Sequence, residues 1–189
     1  MHHRDRTRRR HSFNVPGHAH ALTFTCYRRF PFLKAERTCA WLADSIAGAR
    51  RTLDFALWAF VFMPDHVHVI VRPNRPDHEV SVILKAIKGP VGRQAVAHLE
   101  ACAPEWLPKI TRVRGGREER LFWQSGGGYD RNIDEPKTLG RMVDYLHENP
   151  VRRGLVARPS DWRWSSAGWF EGLASNGLRP DPIPPDWAT

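Results

Sequence analysis

Chemistry in this chain can be sought first at His66 and His68, which lie in Met63-Pro-Asp-His-Val-His-Val-Ile-Val71. The run reads as a strand, in which His66, His68 and Ile70 share one face while Val67, Val69 and Val71 share the other. Imidazoles two residues apart on a strand have Cα atoms roughly 7 Å apart. Their rings can converge on one divalent ion, since neutral imidazole is a good ligand for several such ions. The same spacing also serves two half-exposed histidines on a sheet face with no ligand between them.

The second stretch is Leu139-Gly-Arg-Met-Val-Asp-Tyr-Leu-His-Glu-Asn149. Leu139, Met142, Val143 and Leu146 repeat at helical spacing and define a buried stripe. Tyr145 and Asn149 lie four apart on one flank of that stripe, with Lys137 and Arg141 leading up to it. One reading makes Tyr145 a boundary aromatic and Asn149 a C-terminal cap. The other makes them chemical. A phenol with a pKa near 10 is a poor nucleophile at neutral pH. Its attack on a phosphodiester gains from a Lewis acid that polarises the phosphate. Two neutral histidines and an amide oxygen would hold such an ion and leave positions open for phosphate and water.

These residues need a scaffold. Residues 1–17 form a basic arm with Arg4, Arg6, Arg8, Arg9 and Arg10, closed by Pro16-Gly17. Alternation over residues 20–27 predicts a strand, and spacing over 35–53 a helix. Residues 55–63 and 66–71 read as an antiparallel pair joined at Pro64-Asp65. A helix is expected from about Val80 to Glu100, interrupted or kinked at Gly89-Pro90. Residues 103–128, with Gly126-Gly127-Gly128, read as loops around a short strand. A last helix spans about 136–148, with Asp134 as N-cap, Pro136 in its first turn and Asn149-Pro150 ending it. The sum is an α+β domain, a sheet with helices on one face, over 18–169, followed by a Pro/Gly-rich tail over 170–189.

Composition narrows the partners. The 189 residues carry 29 Lys and Arg against 20 acidic residues, a formal +9. Arginine dominates the cations, and guanidinium pairs with phosphate and stacks on bases, so nucleic acid is the expected partner. Three scattered cysteines give neither a disulfide framework nor a zinc ribbon. No apolar run is long enough to cross a bilayer, so the expected location is cytoplasmic, on the nucleoid.

The segment Met63–Val71 resembles the His-hydrophobic-His motif of the HUH endonucleases. Tyr129-Asp-Arg-Asn-Ile133, with the stretch from Met142 to Ser166 (MVDYLHENPVRRGLVARPSDWRWSS), is similar to the C-terminal signature of REP-associated tyrosine transposases, relatives of the single-tyrosine HUH transposases. The resemblance spans about His18 to Ser166. It implies a ferredoxin-like antiparallel sheet with the histidines on a central strand and the tyrosine on a C-terminal helix. It also implies Mg²⁺ or Mn²⁺, a covalent 5′-phosphotyrosine intermediate and palindromic repeats folded into hairpins as substrate. By motif position His66 and His68 become metal ligands, Tyr145 the nucleophile and Asn149 the third ligand. Many relatives carry Gln at that last place. The REP-associated group is thought of as monomeric and self-mobilising relatives as dimeric, so a monomer is favoured.

Single-stranded DNA needs a basic groove with aromatics on which bases stack. The candidates are Arg28, Arg29, Lys85, Lys88, Arg112, Arg114, Arg152 and Arg153. Trp162, Trp164 and Trp169 are spaced like packing residues, whereas Phe122 and Trp123 stand undecided between packing and stacking. Tyr129, beside the glycine run, is expected to contact substrate or pack beside the site. Two other functions compete: a non-catalytic single-strand binding module, and a nuclease that activates water rather than Tyr145.

Overall fold

The computed structural model describes residues 14–173 and 177–188, so most of the basic arm lies outside the described residues. Six strands and six α-helices follow in chain order: β1 (Ala19–Thr25), α1 (Glu36–Leu53), β2 (Phe55–Phe62), β3 (His66–Pro73), α2 (Val80–Cys102), α3 (Leu107–Ile110), β4 (Thr111–Arg114), β5 (Arg117–Arg120), β6 (Tyr129–Ile133), α4 (Pro136–His147), α5 (Asn149–Arg152) and α6 (Ala167–Phe170). The main sheet has the order β2-β3-β1-β6 and is antiparallel throughout. With α1 between β1 and β2, and α2 between β3 and β6, this is the ferredoxin-like arrangement of two interleaved β-α-β units.

Alternation along the strands sorts the side chains onto two faces. Leu22, Phe24, Val67, Val69 and Val71 pack against Leu42 and Ile46 of α1 and Ile83, Ile87 and Val91 of α2. The opposite face carries Ala19, Ala21, Ala59, Ile70 and Ile133, and α4 covers it with Leu139, Val143 and Leu146. Helices were expected on one face. That holds for α1 and α2, while the apolar stripe of α4 needs a cover of its own and finds it on the other side. A bulge at Leu57/Ala59 turns both Trp58 and Ala59 towards α4.

Several local readings change. The helix expected to be interrupted or kinked at Gly89-Pro90 is not interrupted there and continues as α2. Proline has no N–H for the carbonyl of Ala86. Ser45 of α1 supplies a donor instead, with its hydroxyl 3.3 Å from the Ala86 oxygen and 2.8 Å from that of Ile87. The N-cap of α4 is Glu135 rather than Asp134, because Pro136 occupies the first helical position. Residues 103–128 are more regular than expected: β4 and β5 form a hairpin turned at Gly115-Gly116, both with the positive φ that primed turns require.

Residues 177–188 are docked on the body. Leu57 donates its N–H to Asp181 at 2.8 Å and accepts from the Asp181 N–H at 2.7 Å. The Trp187 ring packs on Trp58. Together with the Phe62–Trp164 and Ser166–Phe60 backbone bonds, this closes the outer edge of β2. No helix among the described residues is long and apolar enough to cross a membrane.

Candidate active site

One row across the sheet organises the site. Tyr129 of β6 pairs with Thr23 of β1, Thr23 with His68 of β3, and His68 with Val61 of β2, all on the face that α4 covers. The candidate residues therefore sit on the sheet itself, beside the cavity under α4.

His66 and His68 face one another edge to face, with ring centroids 4.8 Å apart. The last turn of α4 brings the Tyr145 ring to 6.4 Å from that of His68. Two motifs separated by more than seventy residues thus meet. A cavity of about 290 Å³ opens beside them, with Thr23, His68, Tyr129, Arg131, Met142 and Tyr145 in its wall. Tyr145 is half exposed, at 48%.

Each imidazole is held through Nδ1. His66 Nδ1 lies 2.8 Å from Asp65 Oδ1, and His68 Nδ1 lies 2.7 Å from the Thr23 hydroxyl. A carboxylate only accepts, so His66 carries its proton on Nδ1 and presents a bare Nε2. The Nε2 of His68 is buried without a hydrogen-bond partner. Such an orphan costs about 1–3 kcal/mol unless something occupies it. Burial drives the His68 pKa down to about 4, so the ring is neutral at pH 7. Burial also lowers that of His66, against the pull of Asp65.

Asp65 is the residue that sequence reasoning missed. Burial would raise its pKa, but the hydrogen bond from His66 and the charges of Arg29 and Arg153 hold it below the ordinary carboxylate value. Arg29 reaches Oδ2 at 2.9 Å and Arg153 reaches Oδ1 at 3.3 Å. Arg29 does so from a left-handed backbone, a conformation Arg28 before it also adopts. Two guanidiniums around one carboxylate leave the rim positively charged, which suits a phosphate.

Asn149 follows α4 and donates its amide nitrogen to the carbonyls of Tyr145, at 2.8 Å, and Leu146, at 3.2 Å. It is a helix cap, and Oδ1 is the atom left for any ligand. Among the described residues no three His, Cys, Asp or Glu side chains form a metal cage, so any ion here relies on the two imidazoles and on oxygen donors of other kinds.

The basic candidates separate. Arg152 lies over the Tyr145 ring, its guanidinium 5.0 Å from the centroid, while Arg29 and Arg153 serve Asp65. Arg28 lies over the Tyr27 ring. Lys88 donates to the Gly126 carbonyl at 2.9 Å and so ties down the glycine loop, leaving exposed Lys85 beside it. Arg112 pairs with Glu119 across the β4–β5 hairpin, and Arg114 is exposed at its tip. Phe122 and Trp123 are buried in the α1/α2 core, where Trp123 Nε1 bonds the Lys88 carbonyl. Trp162 bonds the Phe62 carbonyl and Trp164 stacks on the Phe62 ring, as packing residues do.

The glycine run gains a reason. At Gly128, with φ of +78°, a Cβ would lie 2.1 Å from the carbonyl oxygen of Thr23, the residue whose hydroxyl holds His68. Only glycine lets the chain press there before β6 begins. Tyr129 is consequently a strand residue on the cavity wall rather than part of a loop.

Residues 15–106 match the family model described as Transposase IS200 like. A putative REP-associated tyrosine transposase of Haemophilus influenzae is 25% identical over 144 residues, covering 72% of this chain and 77% of the relative. The REP-associated tyrosine transposase of Escherichia coli K12 is 27% identical over 147 residues, covering 78% of this chain and 71% of that one. The solved structure of a REP-associated tyrosine transposase bound to a REP hairpin aligns with a TM-score of 0.65 at 24% identity, over 95% of this chain and 90% of that one. The last comparison concerns the fold, and it extends the likeness well past the segment that the IS200-like family model matches.

Proposed function

We propose that this protein is a metal-dependent single-strand DNA endonuclease and strand transferase, working through a covalent 5′-phosphotyrosine on Tyr145. The observation that carries the reading is the buried, unpartnered Nε2 of His68, in a ring 6.4 Å from that of Tyr145 and beside a second imidazole with a bare Nε2. With the Thr23 hydroxyl accepting from Nδ1, the Nε2 of His68 is the bare acceptor a metal ligand offers. Asp65 and Thr23 on the far nitrogens are the supporting contacts that ligating histidines have.

His66 and His68, with the Oδ1 of Asn149, would hold Mg²⁺ or Mn²⁺. When bound, that ion supplies Lewis-acid polarisation of the scissile phosphate. The rest falls to the chain. The Tyr145 oxygen attacks phosphorus, the phenol proton goes to solvent, and a Tyr–O–P bond forms as the P–O3′ bond breaks. The departing strand leaves as a 3′-hydroxyl after taking a proton. Attack of a 3′-hydroxyl on the phosphotyrosine reverses these changes and joins strands with no nucleotide cofactor. Asn149 holds the backbone carbonyl of Tyr145, and the Arg152 guanidinium over the ring adds positive charge beside it.

The relatives' names and the hairpin bound in the matched solved structure favour repeat hairpins as the substrate, and we take the protein to act as a monomer on the nucleoid. Lys85, Arg114, Arg152 and the basic arm are the groups left to hold the strand. Affinity for single strands should then fall with salt, with a log–log slope of roughly 0.7 per phosphate neutralised. A salt-independent affinity would discard the basic groove.

The deciding experiment incubates end-labelled single strands, hairpin repeats included, with Mg²⁺ or Mn²⁺ and resolves them on a denaturing gel. A slow-migrating adduct that vanishes with EDTA and with Tyr145→Phe is the expected result. Cleavage without an adduct, persisting in Tyr145→Phe, would assign the reaction to activated water. Tight binding without cleavage would make the protein a binding module.

A further inference from the structure

The criterion that picks out His68, a buried imidazole nitrogen with no partner, also picks out His20 and His78. His20 is fully buried on β1, on the sheet face opposite His68. Its Nδ1 lies 3.0 Å from Asp130 Oδ1 on β6. His78 precedes α2, and its Nδ1 lies 3.0 Å from the carbonyl oxygen of Arg75. Both acceptors lack a hydrogen, so each ring carries its proton on Nδ1 and turns a bare lone pair inward on Nε2.

The two rings stand edge to face, with centroids 5.5 Å apart at 71°. His66 and His68 stand at 4.8 Å and 87°. The second pair thus repeats the first in geometry and in its supporting contacts, a carboxylate on one imidazole and an oxygen donor or acceptor on the other. A cation ligated by both nitrogens would give each buried Nε2 the partner it lacks. Mg²⁺, which prefers oxygen, is a poor match for two nitrogens. Zinc and its neighbours in the transition series are good ones.

We infer that His20 and His78 form a second metal site, taking a borderline transition ion such as zinc, on the α2 side of the sheet. The ion completes its shell with water or a further donor and pins the turn after β3 to β1, fixing where α2 starts. The site is independent of the Tyr145 chemistry, because the thickness of the sheet separates the two.

The test uses full-length protein in which His66 and His68 are replaced by Ala, and His2, His3 and His11 by Ser, so that neither the first pair nor the arm contributes. Zinc is titrated in competition with a chromophoric chelator, and thermal unfolding is followed with and without zinc. The expected result is one zinc per chain and a Tm rise of about 5–10 °C at zinc a hundredfold above Kd. His78→Phe, which keeps a ring against His20, should leave the zinc-free Tm in place and weaken zinc binding at least about tenfold. Crystals grown with zinc should show its anomalous signal between the two Nε2 atoms. Absence of zinc binding, affinity indifferent to His78→Phe, or a water bridging the two nitrogens would each overturn the site.

Discussion

The two faces of the main sheet are built from the same strands and do different work. On the α1/α2 side, Val67, Val69 and Val71 of β3 are sealed under two long helices. On the other side His66, His68 and Ile70 alternate with them, but the cover is the short α4 with Trp162, Ile183 and Trp187, and the cavity opens beside His68. Stability is concentrated on the first face. The proposed chemistry lies at the uncovered end of the second, beside the unpartnered Nε2 of His68. A strand with period two can serve both at once, since neighbouring residues never share a face.

That division can be attacked from either side. Tyr145→Phe should have the largest effect: adduct formation falls at least about a thousandfold, while the Tm moves by no more than a degree or two, because the side chain is half exposed. A large Tm loss would mean that the open end also carries the fold. Next, Ile87→Ala, in the sealed core, should cost about 2–5 kcal/mol of unfolding free energy. Adduct yield per folded molecule should stay within about twofold, and a failure there would show the faces to be coupled. Asp65→Asn should weaken Mn²⁺ activation about 10–100-fold, recoverable at high Mn²⁺, since the loss concerns the orientation of His66.

The smallest effect concerns pH. Burial pushes the pKa of His147, which bonds Ser166 beneath α4, down to about 4. Unfolded, this ring takes a proton near its ordinary 6.5, whereas the folded chain resists until about 4. The unfolded state therefore binds more protons in between, and stability present above pH 6.5 is lost as pH falls towards 4. Denaturant midpoints over that range should drop, and drop less steeply in His147→Gln. His68 contributes in the same direction. Equal slopes for the two proteins would remove His147 from the account.

How much of this was legible depends on where the periodic signal was clean. The histidine strand and the Tyr145 helix announced themselves because burial on one side enforces a strict pattern, and the β-α-β order followed from the same patterns. β6 did not, since Tyr129-Asp-Arg-Asn-Ile133 is an edge strand in which only Ile133 is fully buried and the rest reads as polar loop. The β4–β5 hairpin was hidden for a similar reason, although Gly115-Gly116 between two arginine-rich runs was a usable sign. Asp65 escaped because Pro-Asp is good turn chemistry in its own right, and nothing local reveals that arginines from two distant segments converge on it. Phe122 and Trp123 were undecidable from sequence, as their burial depends on Lys88 and the glycine loop folding over them.

Ser45 and Pro90 show how a fold's history can constrain its future. The proline removes a donor inside α2, and a hydroxyl from a different helix answers for it. The order of substitution then matters: a lineage can gain the serine first at little cost and the proline second, but it cannot shed the serine while the proline stays without exposing a dry carbonyl. The two positions are coupled, so Ser45→Ala should be damaging in this chain and close to neutral once Pro90 is replaced by alanine.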